Sequence, residues 1–169
     1  MQQPISSIIY CRTLIGSHSP NHYPFKLLKE YNIVTDKKSL KEFREFRQRM
    51  NQKIYDSGHL GIKRFFTLDT KAYAEGAIPV PMKELMGLVA SMVLRCDDCI
   101  SYHIVQGVIE GVSDEQFWEA FNIALVVGGS IVIPHLRRAV DTLEECRVLE
   151  EENPDELKLQ SGNNPYSDH

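Results

Sequence analysis

Between residues 39 and 150, apolar side chains recur three and four positions apart, in runs separated by Gly and Pro. That spacing follows the helical turn and gathers the apolar residues of each run on one face. The first run spans about Ser39 to Asp56, with Leu40, Phe43, Phe46, Met50 and Ile54 on its face. Ser39 and Glu42 have capping-box spacing, and Gly58 and Gly61 end the run. A second helix is expected from about Ile62 to Glu75, with Phe65, Leu68 and Ala72 as its stripe and Gly76 as its stop. Pro81 suits the first turn of a third helix, which runs to about Arg95 and turns Leu85, Leu88, Val89, Met92 and Val93 inward. A break at Arg95–Asp97 leads into a fourth helix that ends by Glu110–Gly111. Ser113 and Gln116 form a second capping box, opening a fifth helix through about Val127. Phe117, Phe121, Ala124 and Leu125 face its core side, with Trp118 beside them. Gly128 and Gly129 interrupt, and a last helix continues to about Glu150 with Pro134 near its start. Strand signals are weak and no repeat of fixed period is present. The fold class is all-α, a helical bundle.

A length of 169 residues suits one domain with tails. The helical domain is assigned to 38–150, an irregular N-terminal arm with Pro4, Pro20 and Pro24 to 1–37, and a polar C-terminal tail to 151–169. Lys and Arg number 19 against 23 Asp and Glu, a net charge of -4. A phosphate backbone calls for a basic face, so nucleic acid is not the expected partner. The N-terminus lacks the basic segment, apolar run and small-residue cleavage site of a secretory signal. The apolar runs Ile123–Val127 and Ile131–Ile133 are broken by Gly128, Gly129 and Pro134, well short of the roughly 20 residues a membrane helix needs. The expected location is the cytoplasm, where cysteines are more often catalytic, metal-binding or inert than structurally bridged.

Of the four cysteines, Cys96 and Cys99 form a C-x-x-C pair, and His103 follows the second by four residues. On a helix these spacings place all three side chains on one face. In a first helical turn, unpaired amide groups and the helix dipole favour an anion and lower a thiol's pKa. His103, one turn further on, can take or relay a proton. Glu84 lies 12 positions before Cys96 and would miss the cysteine face along one straight helix. A break near Arg95–Asp97 folds the third helix back and lets Glu84 point at the thiols. Alone, Glu84 reads as a solvated charge and His103 as an ordinary helix histidine; the joint spacing is harder to explain by chance. Asp97 and Asp98 suit a helix N-terminus, yet their charge opposes thiolate formation. By helical phase Tyr102 faces away from the thiols as a packing residue, and His135 reads as packed or at the surface. Cys11 and Cys146 lack such neighbours and fall outside the reactive set.

The run Glu84-x11-Cys96-x-x-Cys99-x3-His103 resembles the signature of the alkylhydroperoxidase D-like branch of the carboxymuconolactone decarboxylase family. Phe65-Phe66-x-Leu68-Asp69, Gly76-Ala77, Lys83-Glu84-Leu85, Gly111-Val112-Ser113 and Gly128-Gly129 agree as flanks, so the resemblance covers about residues 60–146. It implies an all-helical fold whose helical hairpin carries the cysteines, in homo-oligomers that are commonly trimers or hexamers. It also implies a thiol peroxidase or disulfide reductase with no cofactor and no metal. Its substrate would be a hydroperoxide, and its reductant a dithiol protein that is thioredoxin-like or lipoyl-bearing. By the family's pattern Cys99 attacks, Cys96 resolves, and His103 and Glu84 relay the proton. Physical reasoning alone does not choose between the cysteines, since exposure and the helix dipole could favour Cys96. Peroxidase members carry a second histidine between the cysteines where this chain has Asp98, which bears on peroxidase efficiency. The decarboxylases of the family generally lack the C-x-x-C pair. Three other readings stay open: a lactone decarboxylase, a module holding zinc through Cys96, Cys99, His103 and Glu84, and an inactive protein that only assembles.

Overall fold

The computed structural model describes residues 39–159, which form seven α-helices and no strand. The arm expected at 1–37 and the last ten residues of the expected polar tail lie outside the described residues. The helices are α1 (Leu40–Asp56), α2 (Leu60–Tyr73), α3 (Val80–Leu94), α4 (Asp97–Ile109), α5 (Asp114–Gly128), α6 (Ile133–Glu152) and α7 (Pro154–Leu159). A 3-10 turn at Ser130–Val132 joins α5 to α6.

Both capping boxes form as their sequences require. The Ser39 side chain accepts the Glu42 amide and the Glu42 carboxylate accepts the Ser39 amide; Ser113 and Gln116 repeat the arrangement on α5. Pro81 stands in the first turn of α3 and Pro134 in that of α6, where a missing amide hydrogen costs nothing.

The centre is the packing of α3 on α4 and α5, with α6 across α4. Leu88, Met92, Ile100, Ile104, Val108, Phe117, Phe121, Ala124, Ala139 and Leu143 form its buried core. Gly107 permits the close approach of α4 to α5: a Cβ there would stand 2.8 Å from Phe117 Cζ.

Three expectations need correction. The α1 stripe is buried only toward its start. Leu40 and Arg44 are buried and Phe43 packs on the core, whereas Phe46 and Ile54 are exposed. On α2, no residue is buried, and Phe65 is 68% and Leu68 66% exposed. Periodicity says which residues share a face, and not whether this chain covers that face. The segment after 151 is also more ordered than a polar composition suggests. Pro154–Leu159 is helical, Leu157 is buried, and Arg44 donates to the carbonyls of Glu156 and Leu157. One buried leucine and two hydrogen bonds from a distant arginine are too little for a period to register in sequence, yet they anchor a short helix.

Candidate active site

The turn between α3 and α4 builds the site. Arg95 adopts φ 61° and ψ 40°, left-handed backbone that non-Gly residues seldom occupy. The amide of Arg95 bonds the Met92 carbonyl, and that of Cys96 reaches back to Ser91 at 3.0 Å, closing a Schellman turn on α3. Cys96 then serves the next helix with its side chain, since Sγ accepts the Cys99 amide at 3.3 Å as the N-cap of α4. The expectation that Cys96 lies in the first turn of the fourth helix is thereby corrected. Cys96 stands just before α4 in extended backbone, with φ -98° and ψ 91°. Cys99 and His103 lie within the helix, one turn apart.

Cys96 and Cys99 form a disulfide, with Cα atoms 5.3 Å apart. Cys99 is exposed and Cys96 half-buried. The reversal at Arg95 carries α3 back along α4, so that Glu84 Oε2 meets His103 Nδ1 at 2.8 Å. Both are buried, at 4% and 8% exposure. A buried carboxylate without such a partner would be costly, so each side chain depends on the other. Glu84 therefore joins the imidazole, where the sequence reading aimed it at the thiols.

Asp97 does not confront the sulfurs with an unpaired charge. Its Oδ1 lies 2.6 Å from His135 Nδ1 and its Oδ2 accepts from Arg138 at 3.1 Å. Both partners come from α6, so the electrostatic cost assigned to Asp97 is offset while Asp98 stays exposed. His135, read as packed or superficial, is a half-buried partner of the cysteine turn.

Two tyrosines adjoin His103. The Tyr102 ring meets it edge-on with centroids 5.3 Å apart, and the Arg47 guanidinium lies 4.1 Å from the centroid of the same Tyr102 ring. Tyr102 is thus a packing residue, as expected, but it packs on the site's histidine. Tyr73 from α2 lies at the same centroid distance, tilted by 33°. Sequence reasoning overlooked Tyr73, which belongs to no local motif. Burial, followed by Glu84 and Asp69, pushes its hydroxyl above the ordinary tyrosine range. Cys146 is buried, and Cys11 lies outside the described residues. Among the described residues no group of three or more His, Cys, Asp or Glu side chains is arranged to hold a metal ion, and no helix is long and apolar enough to cross a membrane.

A model of the carboxymuconolactone decarboxylase family matches residues 62–142. A family protein of Thermotoga maritima, for which a part in the antioxidative response has been suggested, has a solved structure similar to this one. It is 61% identical, with a TM-score of 0.62, over 64% of this chain and 92% of its own. A family protein of Legionella pneumophila, solved in its apo form, shares the fold at 20% identity, with a TM-score of 0.60, over 63% of this chain and 96% of its own. Protein 4 of the cox locus of Paracoccus denitrificans, itself uncharacterized, is 28% identical over 81 residues, which are 48% of this chain and 73% of that relative.

Proposed function

The chain belongs to the carboxymuconolactone decarboxylase family, and from that premise we propose that it is a thiol-dependent peroxidase or disulfide reductase of the alkylhydroperoxidase D-like branch. The observation that carries this reading is a Cys96–Cys99 disulfide on the same hairpin as a buried Glu84–His103 pair. The antioxidative role suggested for the Thermotoga relative is consistent with it.

In the reduced protein, His103, held by Glu84, accepts the Cys99 proton directly or through a water. Cys99 is the exposed member of the pair, which suits it for attack on a substrate arriving from solvent. Its thiolate attacks the distal oxygen of a hydroperoxide and the O–O bond breaks. The leaving alkoxide takes the relayed proton and departs as an alcohol, leaving a sulfenic acid on Cys99. The Cys96 thiol attacks that sulfur, forming the disulfide and releasing water. A dithiol reductant, thioredoxin-like or lipoyl-bearing, restores both thiols by exchange. A reducing cytoplasm suits this cycle. The exposed apolar residues of α1, α2 and α5 support assembly into a homo-oligomer, a trimer or hexamer.

Peroxide consumption by purified protein with a dithiol reductant tests the reading. Replacing Cys96 and Cys99 together by Ser is expected to abolish turnover. Glu84→Gln is expected to lower it about 100-fold or more, the usual contribution of a positioned proton acceptor. Wild-type turnover no faster than that of the double variant would overturn the proposal. A lactone-decarboxylating activity that survives loss of both cysteines would favour the other chemistry of the family.

A further inference from the structure

We propose that Tyr73 is a positioning residue for His103, holding the imidazole through its ring and defining the surroundings of Nε2 through its hydroxyl. This deepens the function proposed above and rests on its assignment of His103 to proton relay.

Three residues near the start of α3 assemble the arrangement. Lys83 Nζ donates to the carbonyls of Ala72 at 2.8 Å and Ala74 at 2.6 Å, gripping the backbone on both sides of Tyr73. Glu84 holds His103 Nδ1. Gly87, buried in the helix interior, leaves the space that the two rings share. A Cβ at Gly87 would stand 2.5 Å from Tyr73 Oη, 2.5 Å from His103 Cε1 and 2.7 Å from His103 Nε2. Real Cβ atoms do not approach that closely, so the bare face of Gly87 is a requirement of this packing.

The electrostatics agree with the geometry. With Nδ1–H donated to the Glu84 carboxylate, a neutral His103 carries its lone pair on Nε2, on the side where Tyr73 Oη lies. Burial and the neighbouring Glu84 and Asp69 disfavour the phenolate, so the hydroxyl keeps its proton. No residue of α2 is fully buried, and the lysine clamp and this ring contact help set its C-terminal end against the site.

The test is NMR of the His103 ring in the disulfide form, which needs no peroxide turnover and so fails or succeeds independently of the peroxidase reading. Tyr73→Phe keeps the ring and removes the hydroxyl. It is expected to move the Nε2 resonance while leaving the Glu84-bonded Nδ1–H proton slow to exchange. Tyr73→Leu removes the ring and is expected to speed that exchange roughly tenfold or more, as loss of a single supporting contact would. An Nε2 resonance unmoved by Tyr73→Phe overturns the proposal. So does an unchanged exchange rate in folded Tyr73→Leu. If the leucine variant does not fold, the phenylalanine variant decides.

Discussion

Tyr102 lies between the His103 imidazole and the Arg47 guanidinium, and burial dominates its chemistry. Desolvation pushes its hydroxyl above the ordinary tyrosine range; Arg47 opposes this, and Glu84 and Asp69 add to it. Tyr73 is raised in the same direction, also chiefly by burial. In the unfolded chain both lose their protons near pH ~10, whereas the folded protein retains them to higher pH. Above that pH the unfolded state binds fewer protons than the folded one, so stability is complete below pH ~10 and falls as pH rises through it. Urea melts at increasing alkaline pH are expected to show this fall, and Tyr102→Phe is expected to lessen it. Equal slopes in the two proteins would contradict the assignment. At this scale the grouping of Glu84, Cys96, Cys99 and His103 on one hairpin was legible from helical spacing and the break at Arg95–Asp97, whereas the pairing of Glu84 with His103 was not. Tyr73 was not, because it reaches His103 only through the path of α2. The partners of Asp97 were missed for the same reason, since His135 and Arg138 arrive from α6.

Among the elements, the α3–α4 hairpin shows most directly how local chemistry prepares a site. Arg95 takes the left-handed backbone more usual for glycine, and Cys96 closes one helix with its amide and opens the next with its sulfur. The packing of α4 on α5 depends on Gly107. Alanine there gains about 1 kcal/mol of helix propensity but drives a Cβ against Phe117, and overpacking costs roughly 1–3 kcal/mol. Phe117 is wholly buried and has little room to yield. Gly107→Ala is therefore expected to destabilise the fold by about 1 kcal/mol, seen as a lower denaturant midpoint with the slope unchanged. A raised midpoint would show that the core gives way more easily than this packing suggests. The limits of α1, α3 and α5 were close to legible because caps, prolines and apolar period act within one element. Which face of α1 and α2 is covered was not, because burial requires a neighbour.

In the molecule as a whole, the chain's distant parts are tied by polar as well as apolar contacts. Arg44 of α1 is buried and donates to carbonyls of α7, and the Leu40 amide donates to Glu145 of α6. On α5, Val126 is 78% and Val127 66% exposed, with Ile123 and Ile131 exposed nearby in sequence. Apolar surface of this kind is what subunit association removes from water. In the proposed oligomer, a Val126→Asp/Val127→Asp variant is expected to sediment closer to the monomer than the wild type while keeping its helical circular dichroism. A wild-type protein that sediments as a monomer would rule out the assembly.

The sequence by itself determined an all-α chain, the caps and breaks that bound its helices, and a dithiol with a glutamate and a histidine at hairpin spacing. These are local properties, set by period, backbone preference and neighbours a few residues away. Only the tertiary structure decided that Glu84 joins His103, that Asp97 is neutralised from α6, that Tyr73 and Gly87 share the histidine's space, and that the stripe of α2 stays open. Each depends on the path by which distant segments meet, and no local pattern in the chain encodes that path.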